Sequence, residues 1–119
     1  LGVMLANVFF EHDILELSTK NRDGFHIFLS EIIATFGLIF IIFATQKDGK
    51  ITIAASVATY IMAGYWFTSS TSFANPAVAI ARTFTDSFTG INYLNTPTYI
   101  LAEFLGALIA VYFIKKLIK

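Results

Sequence analysis

The chain has 119 residues, enough for one domain, and 56% of them are hydrophobic while only 13% are charged. Soluble domains carry about 25% charged residues, so this composition excludes a soluble monomer without large apolar patches and excludes a disordered chain. Eight basic and eight acidic residues cancel and there is no cysteine, which argues against a nucleic-acid partner and excludes thiolate chemistry.

The mean hydropathy of +0.71 points to a membrane protein. The chain opens on Leu1-Gly2-Val3, without an initiator methionine or a basic leader, which reads as an interior piece of a longer polypeptide. Residues 1–10 form a short apolar run, expected to be the tail of a preceding transmembrane helix. Residues 11–25 follow as a charged loop carrying Glu11, Asp13, Glu16, Lys20, Arg22 and Asp23. Residues 26–119 then hold three long apolar segments, expected as transmembrane helices over about 26–45, 51–67 and 98–115, the last extending toward Ile118. Each is near the length needed to cross about 30 Å of hydrocarbon. A tight turn, Gln46-Lys47-Asp48-Gly49-Lys50, joins the first two. Lys47, Lys50 and the basic end Lys115, Lys116 and Lys119 belong on one side, so the positive-inside rule places them and the C-terminus in the cytoplasm and the 11–24 loop outside.

The stretch between the second and third segments carries the chemistry. Thr68-Ser69-Ser70-Thr71-Ser72 is small and hydroxyl-rich, and Asn75-Pro76 reads as an N-cap followed by a proline at the first helical position. The helix it starts is expected over about 76–84, too short to span and too apolar for an ordinary loop. A half-helix dipping into the membrane satisfies both facts. Irregular backbone at that depth persists only where it is buried in protein or lines a watery cavity. Residues 68–72 are therefore expected to descend along a pore wall, offering carbonyls and hydroxyls, with the Asn75 amide facing the cavity, which is channel chemistry. No paired carboxylates, nucleophile–base set or metal cluster can be assembled into an enzyme site, and the two histidines, His12 and His26, lie too far apart for zinc. No cofactor and no metal are expected.

Asn75-Pro76-Ala77 after a serine- and threonine-rich descent, set between apolar segments in this order, resembles the signature of the major intrinsic proteins, the aquaporins and glycerol facilitators. The resemblance covers the whole chain but half of the family's architecture. It implies an all-α membrane fold with three transmembrane helices and one re-entrant half-helix, the second inverted repeat of an aquaporin-like bundle. It implies further a missing N-terminal half, a homotetramer in membrane lipid, and passage of water or small uncharged solutes through the plasma or bacterial inner membrane. Asn75, Pro76 and Ala77 would be the pore motif. The family places an arginine directly after this motif, as part of a narrow filter; here Val78 stands there, and the nearest arginine is Arg82, one helical turn onward. Arg82 is then either a displaced filter charge or the partner of Asp86 in an i,i+4 pair. The remaining filter positions fall at Ser72 and near Ala63, with Met62 and Gly64 as alternatives, and together these imply a filter wider than one built for water.

The family often uses a glutamate where Glu31 stands to support the loop before the half-helix. Glu103 is expected near the outer interface, in solvent or on a loop. Gly106, with Ala102 and Ala110, forms a small-residue ridge for close helix packing, and Ala54 with Ala58 forms another. Tyr65-Trp66-Phe67 and His26 are read as interfacial anchors. The rival reading is a non-conducting structural or accessory membrane subunit, with Asn75-Pro76 as a plain turn.

Overall fold

Apolar residues at helical spacing need a partner surface, and the two longest helices supply it to each other. The computed structural model describes residues 1–117, all helix and loop with no strand among them. The elements are α1 (Gly2–Phe9), α2 (Phe25–Thr45), α3 (Lys50–Phe67), α4 (Pro76–Arg82) and α5 (Thr96–Leu117). Helices α2 and α5 are each long and apolar enough to cross a membrane. At 1.5 Å per residue their 21 and 22 residues reach about 30 Å. The expected extension of the last segment to Ile118 and the basic end at Lys119 lie outside the described residues.

Tyr99, Ala102, Glu103, Gly106, Ala110 and Ile114 are all buried on one stripe of α5. A Cβ at Gly106 would lie 2.5 Å from the Ile32 carbonyl oxygen and 3.0 Å from the Thr35 Cβ. Only the absence of a side chain lets α5 approach α2 so closely. On the other flank, α3 packs against α2 through Tyr60, whose hydroxyl donates to the Ala34 carbonyl at 3.0 Å over the bare surface of Gly37. The ridge of Ala54 and Ala58, by contrast, is exposed among the described residues.

Gly24 and Gly49 precede α2 and α3 with φ of 110° and 94°, a region where only glycine avoids the Cβ penalty. Two boundaries differ from the sequence expectation. Helix α5 begins at Thr96 rather than 98, because Pro97 sits in the first turn, where its missing N–H has no partner to lose. Helix α4 ends at Arg82 rather than 84, because the Thr83 hydroxyl donates to the Ile80 carbonyl at 2.6 Å and the chain turns away. With seven residues α4 is about 10 Å long, and it packs on α5. Between them lies the core of Ile27, Phe73, Ala79, Ile91 and Tyr99, with Val78 and Ile100 against it.

Candidate functional site

The start of α4 is fixed by its own side chain. Asn75 takes an extended conformation, and its Oδ1 accepts from the Ala77 N–H at 2.9 Å, with Pro76 completing the turn. Upstream, the chain passes through the left-handed region at Thr71 (φ 67°), Ser72 (φ 51°) and Ala74 (φ 51°), none of them glycine. Such residues cost about 1–3 kcal/mol each and persist only where the surroundings hold them.

Two buried carboxyl groups do the holding. Glu31 of α2 accepts from the Phe73 N–H on Oε1 and from the Ala74 N–H on Oε2, both at 2.9 Å. Glu103 of α5 accepts from the Asn75 N–H at 3.1 Å. Three successive N–H groups therefore point inward to acids carried on the two longest helices. The Tyr99 hydroxyl donates to the Ser70 carbonyl at 3.3 Å and the Ser72 N–H donates to the Ser70 hydroxyl at 3.3 Å. The carbonyls of residues 71–74 accept no hydrogen bond among the described residues.

Of the two expectations for Glu103, solvent or a loop contact, the structure shows the loop contact and not solvation: it is 1% exposed and accepts from the Asn75 N–H. The signal was present, since Glu103 lies four residues after Tyr99 and three before Gly106, on the packing stripe of α5.

A cavity of about 950 Å³ opens between α1, α4 and the segment that follows α4. Ala77, Val78, Ala81 and Arg82 line one wall, and Asn7 and Phe10 stand opposite. Val78 and Arg82 thus share one space, one turn apart. Ser72 and Ala63 lie away from it. Ser72 packs instead on α3, its Oγ 2.5 Å from where a Cβ of Gly64 would stand. Ala63, beside Gly64, is exposed.

The pair of Arg82 with Asp86 does not form. Arg82 donates to the Thr89 hydroxyl, and its guanidinium lies 5.9 Å from the centre of the Phe73 ring. Asp86 turns to the loop before α2: it accepts from the Thr19 N–H at 2.8 Å and from the Thr19 hydroxyl at 3.1 Å. The Thr19 N–H in particular holds the Asp86 carboxyl below the usual aspartate range, helped by the Ser18 and Thr19 hydroxyls and Lys20.

The loop is fastened along its length. The Ser18 N–H donates to the Thr83 carbonyl and the Asn92 N–H to the Lys20 carbonyl, at 3.0 and 2.7 Å. Arg22 donates to the carbonyls of Gly90 and Phe88, at 2.9 and 2.6 Å. Asn7 of α1 donates to the Phe84 carbonyl at 2.9 Å. Sequence reasoning assigned no role to Asn7 or Arg22, because the carbonyls of Phe84, Gly90 and Phe88 that they reach lie more than sixty residues away. No group of three His, Asp or Glu side chains suited to a metal occurs among the described residues.

No protein-family profile matches the chain, and no solved structure matches it. The chain is similar to aquaglyceroporin AqpS of Rhizobium meliloti (strain 1021), with 46% identity over 109 residues, 92% of this chain. It spans about half, 47%, of that relative's length. That likeness runs over nearly all of the chain, which carries an Asn-Pro-Ala helix start on an all-helical apolar scaffold, so the chain is similar to about half of an aquaglyceroporin.

Proposed function

We propose that this chain is the C-terminal half of a channel passing water and small uncharged solutes down their gradients. On this reading α2, α3 and α5 cross the membrane, α4 is a re-entrant half-helix, and the missing N-terminal half supplies an inverted copy across the bundle. The observation that carries the reading is the inward aim of the N–H groups of Phe73, Ala74 and Asn75 onto Glu31 and Glu103. With the donors tied inside, the carbonyls of residues 71–74 and the Asn75 amide are left to a permeant molecule's hydrogen bonds. The aquaglyceroporin name of the relative supports uncharged polyols beside water as the solute class.

Val78, standing where the family's filter arginine would be, leaves a short apolar side chain at the constriction. Arg82 supplies positive charge one turn further along, held by Thr89 and stacked near Phe73. By resemblance the remaining filter positions are Ser72 and Ala63, which in this half lie away from the space that Val78 and Arg82 share. This favours a wider filter that still repels cations. The assembled protein is a homotetramer in the cell membrane, with its C-terminus in the cytoplasm.

The test is stopped-flow light scattering on proteoliposomes holding the complete polypeptide. Osmotic water flux and glycerol flux well above those of empty vesicles are expected. Flux equal to that of empty vesicles for both would overturn the channel in favour of an accessory subunit.

A further inference from the structure

Glu31 and Glu103 are 0% and 1% exposed, and their carboxyl groups meet on the three successive N–H groups of Phe73, Ala74 and Asn75. Their hydrogen bonds are not equivalent. Glu31 uses both oxygens to accept backbone N–H groups, Phe73 on Oε1 and Ala74 on Oε2. An ionised carboxylate accepts well at both oxygens, whereas a protonated one keeps only a weak acceptor on its hydroxyl oxygen, so two N–H donors favour the charge on Glu31. Glu103 accepts the Asn75 N–H on Oε1, while its buried Oε2 has no partner when both groups are written as carboxylates.

Among the described residues, the surroundings supply no cation to balance a second charge. Tyr99, one turn earlier on α5, donates to the Ser70 carbonyl, and Tyr60 of α3 donates to the Ala34 carbonyl. Arg22 approaches Tyr99 but is spent on the carbonyls of Gly90 and Phe88, and Arg82 is held at Thr89. Neither glutamate has a salt-bridge partner among the described residues. Two like charges in contact in a site of low dielectric keep one proton between them.

We propose that Glu103 is a positioning residue for the Asn75 turn and that it acts as a neutral carboxylic acid, its Oε2 hydrogen donated to the Glu31 carboxylate. The proton converts the orphaned oxygen into a donor, and every polar atom of the pair is then matched. The one negative charge, on Glu31, meets two N–H donors and the Glu103 hydroxyl, neutral Glu103 accepts the third N–H, and the joined acids tie α2 to α5 through the loop they clamp. The role in permeation rests on the channel reading; the protonation does not.

The experiment uses the complete polypeptide in bilayers at neutral pH. Infrared spectroscopy is expected to show a neutral carboxylic acid C=O stretch that disappears in Glu103→Gln. A Gln at 103 offers an N–H to Glu31 and a carbonyl to Asn75, so it is expected to fold and to keep water flux within about twofold of the parent. Glu103→Leu, which strands the Asn75 N–H, is expected to lower water flux about tenfold. Glu31→Gln, which turns an NH₂ toward a backbone donor, is expected to melt well below Glu103→Gln. The proposal is overturned by an absent acid band, by a band that survives Glu103→Gln, or by a Glu103→Gln protein no more stable than Glu31→Gln. Absence of flux in the parent protein would remove the channel reading, while the band and the order of melting would still decide the proton.

Discussion

The two irregular segments flanking α4 are held by opposite means. Residues 68–75, before the helix, carry three left-handed non-glycine residues and are gripped by buried carboxyl groups from α2 and α5. Residues 83–95, after it, are tied to the 11–24 loop by backbone hydrogen bonds and by surface side chains such as Asp86 and Arg22. The first is strained, largely buried and dependent on two acids. The second is spread over many contacts, several of them open to water. A small number of buried, charge-assisted bonds is worth more per bond but fails together, whereas distributed surface bonds fail singly.

The sharpest way to break that contrast is at Glu31. Glu31→Ala leaves two buried N–H groups unmatched, at about 1–3 kcal/mol each, and releases the backbone strain beside them. Thermal unfolding in detergent should register the loss, and water flux should fall to the vesicle background. A variant melting like the parent would show that the loop holds itself.

Next in size is Gly106→Val, which forces α5 off α2 at the Ile32 carbonyl. Overpacking of this kind costs about 1–3 kcal/mol, read as a lower melting temperature. An unchanged melting temperature would mean that the helices yield without cost.

Two substitutions at the α4 start act on permeation more than on stability. Asn75→Asp keeps the oxygen that caps Ala77 but adds negative charge, so ion leak through the complete channel should rise. Val78→Arg should cut glycerol flux while sparing water, and equal loss of both would point to a blocked rather than a narrowed filter.

The smallest effect belongs to Asp86. Its native pKa is lowered, chiefly by the Thr19 N–H, so its contribution is complete above the unfolded aspartate value of about 3.9. It is lost as pH falls through the lowered native value. Amide exchange of the 16–20 segment should quicken in that acidic window, and in Asp86→Asn at neutral pH, with the global melting temperature nearly unchanged.

Several of these features were readable in the chain alone because they are local or periodic. Asn75-Pro76 marks a helix start through cap chemistry among residues two apart, and the Ala102-Gly106-Ala110 spacing marks a packing ridge. Arg82 shows the limit. Its spacing allowed a pair with Asp86, but the turn at Thr83 swings Asp86 to Thr19, and competition among distant partners decides such a choice. Glu103 shows a different limit, since hydropathy places a carboxylate by its cost and not by the acceptor it becomes for Asn75.

Composition and spacing by themselves determined that the chain is apolar and helical and where α4 begins, because those follow from transfer free energy and from bonds within one turn. Only the tertiary structure decided which groups hold the loop before α4 and which side its N–H groups face. Those depend on α2 and α5 meeting at Gly106, which brings Glu31 and Glu103, 72 positions apart in the chain, to adjacent donors of a single turn.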